Sequence, residues 1–408
     1  MTSERIVIAG AGHAAGQIVA TLRQHKFAGQ IVLVGDEPYL PYQRPPLSKK
    51  FLAGEMPAER LYVKPASFYD DPNIELRLQT RITAIDRDSK TLKTDDADAI
   101  AYDKLVLALG SRARTLPVAG VDLAHVHCLR NIVDVEGIRA ELDVGRRLVV
   151  IGAGYIGLEV AAVARKLGLD VTVLEMADRV MSRVVSPEIS DFYQIEHTTQ
   201  GVKLRLATEV VALHGKKRVK RVEIGGGEEI PADFIVVGVG IQPNTELAEQ
   251  AGLDVGDGIL VDDQCQTSDR DICAVGDCTS HPNAIYGRRL RLESVHNALE
   301  QAKTAANNLC GKETHYSQVP WFWSDQYDLK LQIAGLSAGY DDVVIRGKPA
   351  ERSFACLYLR DERLIAIDAV NAPRDFVQSK SLIAARAVIS ADDLADTGRP
   401  LKELGEKG

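Results

Sequence analysis

Cysteine is scarce: six in 408 residues, at positions 128, 265, 273, 278, 310 and 356, with no CxxC pair. That excludes a disulfide framework and a cysteine-rich zinc or iron–sulfur site. Long apolar runs are missing as well, and none approaches the roughly 20 residues that a membrane span needs. The opening Met-Thr-Ser-Glu-Arg leads straight into an apolar run, with no cationic n-region and no cleavage site. Nor is there a basic excess. Lysine and arginine total 49 against 57 acidic residues, a formal net charge of −8, which argues against a nucleic-acid binder. Hydrophobic residues at 45% and charged residues at 26% are ordinary globular values that exclude a disordered or fibrous chain. The expectation is a soluble cytoplasmic protein of two or three domains.

What is present is a duplicated unit. Arg5-Ile-Val-Ile-Ala9 reads as a strand, and Gly10-Ala-Gly12-His-Ala-Ala-Gly16 follows at once. Ala15, Ile18, Val19 and Leu22 then recur at helical spacing, and Gln30-Ile-Val-Leu-Val34 is a second strand ending in Gly35-Asp36-Glu37. Strand, glycine turn, helix and strand make a βαβ unit. The same order returns as Arg147-Leu-Val-Val-Ile151, Gly152-Ala-Gly154-Tyr-Ile-Gly157, a helix from Leu158 to Leu167, and Asp170-Val-Thr-Val-Leu174 before Glu175. The two turns lie about 140 residues apart, far outside solenoid periods, so they mark two separate nucleotide-binding domains. Apolar runs at 105–109 and 234–238 also lead into glycine, and Ile272-Cys-Ala-Val275 precedes Gly276-Asp277. From Pro320 the texture changes to runs such as Leu331-Gln-Ile, Val343-Val-Ile and Ala355-Cys-Leu-Tyr-Leu, read as antiparallel strands, with a helical stretch from Ser379 to Arg386.

A GxGxxG turn between strand and helix brings backbone close to a pyrophosphate, which then sits on the unpaired N–H groups of the helix end. In the first copy the glycines are Gly10, Gly12 and, one place late, Gly16, with Ala15 in the usual third position. Its ribose-binding acid is Asp36 or Glu37. The second copy is in register, with Gly152, Gly154, Ile156 and Gly157 as expected nicotinamide-dinucleotide contacts and Glu175 as the acid about 20 residues on. A carboxylate there accepts from the 2′-OH and repels a 2′-phosphate, which favours NADH over NADPH. Arg179 and Arg183 stand nearby; they either neutralise a phosphate there or serve as diphosphate contacts or solvated cations. Two such sites in one chain suggest an electron relay, a bound flavin served by a diffusible nicotinamide.

Gly276-Asp277, after Thr267-Ser268, resembles the late Gly-Asp of flavoproteins with two dinucleotide-binding domains, where it contacts the ribityl hydroxyls of FAD; read from the residues alone, Asp277 is a helix N-cap. Residues 40–51 hold no cysteine, unlike disulfide reductases resembling glutathione reductase and the peroxide reductases and NADH oxidases with one redox cysteine. Cys273 and Cys278 have CxxxxC spacing, but on a strand, where they read as buried small hydrophobes. Without a thiol relay, electrons leave the flavin directly.

Arg44-Pro-Pro-Leu-Ser-Lys49 resembles the signature of FAD-dependent ferredoxin reductases that serve oxygenase systems. Gly152-Ala-Gly-Tyr-Ile-Gly-Leu-Glu159, Ala274-Val-Gly-Asp-Cys278, Glu293-Ser-Val295, Asn297-Ala-Leu-Glu-Gln301 and Trp321-Phe-Trp-Ser-Asp-Gln-Tyr327 match as well, so the likeness spans the chain. His13 inside the first turn and Ala-Leu-Gly110 in place of the commoner Ala-Thr-Gly are the departures. The resemblance implies an α/β fold of two Rossmann-like dinucleotide-binding domains, glutathione-reductase-like, plus a C-terminal α+β domain. The expected boundaries are 1–113 and 246–318 for the two parts of an FAD-binding domain, 114–245 for an NADH-binding domain and 319–408 for the C-terminal domain. It implies that Ala14, Asp36, Arg44, Lys49, Ile82, Arg130, Asp277 and Val295 line FAD beside Gly10 and Gly12. It further implies a catalytic ion pair of Lys49 with Glu159 beside the flavin ring, Glu159 also holding the nicotinamide carboxamide. Trp323 is either a ring near the flavin or a core aromatic of the last domain. The implied activity takes a hydride from NADH and passes single electrons to a 2Fe–2S ferredoxin that feeds a monooxygenase or dioxygenase. Such ferredoxins are commonly acidic, so docking near the flavin edge calls for a local basic patch, with Lys303, Lys330 and Arg346 as candidates; each is otherwise a solvated cation. Alternatives on the same core are a rubredoxin or other electron-carrier reductase, and a signalling flavoprotein resembling apoptosis-inducing factor, against which the missing targeting segment counts.

Overall fold

The computed structural model describes residues 4–404. The chain forms two compact units. One takes in the chain up to Arg44, Ala58–Arg112 and Gln242–Pro320; the other takes in Pro45–Pro57, Ala113–Ile241 and the chain from Trp321 onward.

In the first unit, strands Arg5–Ala9, Gln30–Val34, Ile74–Arg77, Lys104–Leu107 and Ile272–Ala274 form a parallel sheet with Arg5–Ala9 in the middle. Successive side chains of a strand face opposite ways. Ile6 and Ile8 therefore pack on Ile18, Val19 and Leu22 of helix His13–Gln24 and on Ala302 and Ala305 of helix Val295–Leu309. Val7 and Ala9 pack on the other face with Leu92 and Ile100, which belong to a small antiparallel sheet of Ile82–Asp86, Thr91–Thr94 and Ala99–Ala101. Both faces are covered, which is why these strands read as unbroken apolar runs.

The second unit holds two sheets. One is parallel, in the order Lys203–Arg205, Asp170–Leu174, Arg147–Ile151, Phe234–Val237, Val126–Cys128. The other is antiparallel, in the order Trp321–Gln326, Leu329–Gly335, Arg363–Val370, Ser353–Arg360, Asp342–Lys348. Strand Trp321–Gln326 lays alternate residues on the helices of the parallel sheet. Phe322 meets Tyr155 with ring centroids 4.7 Å apart, and Gln326 reaches His197 at 2.8 Å. Phe354 packs on Phe192 at 5.1 Å. These contacts are why the C-terminal sheet shares a compact unit with the second glycine turn. The helix anticipated over Ser379 to Arg386 begins earlier, at Pro373, because a first-turn proline has no N–H to lose and its φ is already helical. Among the described residues, no helix is long and apolar enough to cross a membrane.

Candidate functional site

The two glycine turns share one geometry. Gly10 has φ +105° and Gly152 has φ +104°, and a Cβ on either would lie 2.3–2.4 Å from a carbonyl oxygen, that of Ala108 or of Gly238. Only glycine is tolerated there. At Gly12 and Gly154 the opposite holds, since no atom lies within 4 Å of the place a Cβ would take. Helices His13–Gln24 and Tyr155–Lys166 start from these two glycines with no side-chain cap and no acid in the first turn. Helices Ile132–Arg139 and Val295–Leu309, by contrast, are capped by Asn131 and Ser294. Bare N–H groups, the positive end of the helix dipole and cleared space together fit a dinucleotide pyrophosphate at each turn.

Around the first turn, Arg44 donates to Glu37 Oε1 at 2.9 Å and to the Tyr42 hydroxyl at 3.1 Å, while that hydroxyl donates to Glu37 Oε2 at 2.6 Å. Glu37 is thereby occupied, whereas Asp36 is 60% exposed, 3.5 Å from Arg81. Asp277 accepts from Ser111 Oγ at 2.9 Å. A strand, not a helix, follows it, so the capping alternative falls. Gly276 donates its N–H to Gln301 Oε1 at 2.7 Å and backs onto Ala14. Burial and the charge of Arg44 push His13 down to about 4, with Asp277 opposing. His13 is therefore neutral, and its Nδ1 is buried without a partner. An orphaned polar atom beside a cleared, uncapped turn fits FAD at this position. Ile82 has its side chain in the apolar core, which leaves its main chain for a ligand. Val295 opens the first turn of its helix behind the Ser294 cap.

In the second unit, Glu175 stands at the end of strand Asp170–Leu174 and accepts from the N–H groups of Ala153 at 2.7 Å and Ala177 at 2.9 Å. Its carboxylate is held against the glycine turn. The guanidinium of Arg179 is committed to Val185 O, Ser182 O and Ser190 Oγ at 2.7–2.8 Å, so it serves its own loop and is not poised for a 2′-phosphate. Arg183 is exposed and lies beside Gly240. Ile156 is 37% exposed in the first helical turn.

A buried polar cluster of this unit centres on Glu159, 3% exposed on helix Tyr155–Lys166. Lys49 Nζ lies 2.7 Å from its Oε2, Ser48 Oγ 2.5 Å from the same oxygen, and Ser324 Oγ 2.6 Å from Oε1. The Pro45–Ser48 turn delivers both Ser48 and Lys49, whose ammonium also donates to Pro45 O at 3.2 Å. Removing one member of so buried a pair leaves an uncompensated charge. Arg130 precedes the capping box of Asn131 with Asp134, to which its main-chain N–H donates at 2.8 Å. Trp323 is half-buried against Trp321, with centroids 5.5 Å apart, on the strand face opposite Ser324. It is not a core aromatic.

All six cysteines are free thiols. Burial pushes Cys273 up to about 12 and Cys278 up to about 11, so neither offers a thiolate near neutral pH. Among the described residues, no group of side chains is arranged to hold a metal ion. The docking candidates divide. Lys330 is exposed, and Lys303 is paired with Glu300 at 2.6 Å. Arg346 is a correction: at 3% exposed it is no surface cation. It binds Asp375 at 3.1 Å and the carbonyls of Leu394, Asp396 and Arg399 at 2.5–3.0 Å. Five N–H donors on a buried guanidinium require such a set, and alternation along one strand does not reveal it. Ser48 and Ser324 were not singled out, although each stands inside a segment that was.

Paired open turns on parallel sheets, a buried lysine–glutamate pair and inert thiols define an oxidoreductase with two dinucleotide sites. The chain belongs to the pyridine nucleotide-disulphide oxidoreductase family, whose model matches residues 4–302, and a reductase C-terminal model matches 321–405. It is 45% identical over 398 residues to rhodocoxin reductase of Rhodococcus erythropolis, covering 97% of this chain and 93% of that one. It is 44% identical over 408 residues to putidaredoxin reductase of Pseudomonas putida, covering 98% and 97%. The crystal structure of the covalent putidaredoxin reductase–putidaredoxin complex matches with a TM-score of 0.97 at 43% identity over the whole of both chains.

Proposed function

We propose that this chain is an NADH-dependent ferredoxin reductase of an oxygenase system. The observation that carries the reading is the pair of open, uncapped glycine turns in a chain whose thiols are inert. Bound FAD supplies the chemistry, accepting a hydride and releasing electrons one at a time. The first turn, with Gly10, Gly12 and Ala14, holds its pyrophosphate; Asp36 faces the ribose, Asp277 the ribityl chain, and Arg44, Ile82 and Val295 complete the lining in the first unit, while Arg130 and Trp323 are further candidate contacts that the family resemblance implies. The second turn, with Gly152, Gly154, Ile156 and Gly157, holds NADH, and Glu175 accepts from its ribose hydroxyls. Lys49 sets a positive charge where negative charge develops on reduction, and Glu159 orients Lys49 and accepts from the nicotinamide carboxamide. The FAD part comprises 1–113 and 246–318, the NADH part 114–245, with 319–408 as the C-terminal domain.

The partner is an acidic 2Fe–2S ferredoxin. At a net charge of −8 long-range repulsion opposes it, so association relies on local cations within the roughly 8–10 Å that salt leaves unscreened. Lys330 leads that patch because it is exposed, while Glu300 offsets much of Lys303. Six unpaired thiols suit the reducing cytoplasm. Anaerobic titration with NADH, then stopped-flow mixing with candidate ferredoxins, tests the whole. Purified protein should be yellow and bleach with NADH, and Lys330→Glu should slow ferredoxin reduction while sparing the NADH half-reaction. A colourless protein that gains no flavin spectrum on incubation with FAD overturns the reading.

A further inference from the structure

Glu159 ends a chain of hydrogen bonds that runs through the interior of the second unit. Ser324 Oγ is 2.6 Å from Glu159 Oε1, and Gln326 Nε2 is 3.1 Å from Ser324 Oγ. His197 Nε2 is 2.8 Å from Gln326 Oε1, and the Tyr327 hydroxyl is 3.1 Å from His197 Nδ1. Ser324, Gln326 and His197 are all fully buried. The strand Trp321–Gln326 supplies Ser324 and Gln326 from one face, two residues apart, as its pleat requires. Helix Pro187–Thr199 supplies His197.

The chemistry at one end fixes every proton along the chain. A carboxylate paired with Lys49 only accepts, so the Ser324 hydroxyl donates to it. The serine proton is then committed, and Ser324 Oγ must accept from the amide N–H of Gln326. That turns Gln326 Oε1 to His197, whose Nε2 therefore carries the proton. His197 Nδ1 is left bare and accepts from the Tyr327 hydroxyl. Burial pushes His197 below its ordinary value, in keeping with a neutral ring. All four donors point toward Glu159, so each polarises the next in the same sense.

We propose that Ser324, backed by Gln326 and His197, is a positioning residue that fixes the plane of the Glu159 carboxylate for the nicotinamide carboxamide. Lys49 and Ser48 both pull on Oε2, whereas Ser324, alone among the described residues, anchors Oε1. Without it the carboxylate is free to turn about its bond to Lys49. The proposal rests on the assignment of Glu159 to the nicotinamide end of NADH.

FAD-loaded protein titrated with NAD⁺ and with ADP-ribose, which lacks the nicotinamide, separates positioning from packing. Loss of a hydrogen bond to a charged group predicts that Ser324→Ala weakens NAD⁺ binding by about tenfold, with ADP-ribose binding unchanged and Ser324→Thr restoring NAD⁺. Equal weakening of both ligands, or of neither, overturns the proposal. Imidazole ¹⁵N spectra of the wild-type protein provide a second measurement that needs no variant. His197 is expected neutral with its proton on Nε2, and a proton on Nδ1 overturns the proposal. If wild type binds NAD⁺ no more tightly than ADP-ribose, the assignment of Glu159 fails, and the histidine spectrum still judges the chain behind it.

Discussion

Replacing Asp368 by asparagine is expected to abolish a loss of stability that the wild type suffers as pH rises from about 4 to about 7. Asp368 lies in strand Arg363–Val370, paired in register with Ile333 on one side and Cys356 on the other, and is fully buried. Its Oδ2 accepts from the Tyr358 hydroxyl at 2.6 Å, while Oδ1 has no partner. Burial pushes the carboxyl up to about 7 from its ordinary 3.8, with the Tyr358 hydrogen bond opposing. Between those two values the folded chain keeps a proton that the unfolded chain releases, so stability falls as pH rises through the window and the loss is complete above it. At about 1.4 kcal/mol per pH unit, the loss amounts to roughly 4 kcal/mol. Asparagine keeps an acceptor for Tyr358 and carries no charge. Its extra N–H shifts the whole stability curve without giving it a slope. Urea midpoints of the FAD-loaded protein near pH 5 and pH 8 measure the effect. The gap between variant and wild type should widen by about 3 kcal/mol from pH 5 to pH 8; parallel curves would refute a buried acid that must ionise in place.

Glu175→Ala should lower the preference for NADH over NADPH by on the order of 1–3 kcal/mol of recognition, read as the ratio of kcat/KM values. Arg179→Ala should leave that ratio unchanged, because its guanidinium is bound within its own loop. Replacing Cys273 and Cys278 together by alanine should keep both half-reactions within a few-fold by stopped flow, whereas a loss of orders of magnitude would restore a thiol relay. Arg346→Ala should cost about 3–5 kcal/mol of stability, the penalty for stranding Asp375 and three carbonyls, and a variant of native stability with slow ferredoxin reduction would return Arg346 to the docking surface.

The glycine turns were legible because βαβ units impose spacing on the sequence itself, and each turn, helix and acid lies within about 30 residues. Asp36 and Glu37 were not separable by spacing. What divides them is Arg44 and Tyr42, which tie up Glu37 through side-chain geometry. The same limit hid Ser324, whose partner Glu159 is 165 residues away, and Arg346, whose carbonyl partners lie 48–53 residues on. Local patterns carry the period of a strand but not the neighbour it meets. The Cys273–Cys278 pair shows the converse. Spacing alone suggested redox chemistry, but Cys273 lies in strand Ile272–Ala274 and Cys278, contrary to expectation, in the turn after Gly276-Asp277, and burial raises the pKa of both thiols instead of lowering it.

The two helices that begin on Gly12 and Gly154 lack any cap of their own, and that tethers the persistence of the folded chain to its supply of cofactor. On the proposed assignment of the two turns, a phosphate group at each end would serve as the missing cap, and by mass action a ligand at a hundred times its Kd adds about 2.7 kcal/mol to the folded state. Starvation for flavin thus lowers more than activity. It should also enlarge the opened population on which proteases act, which proteolysis with and without added FAD would measure.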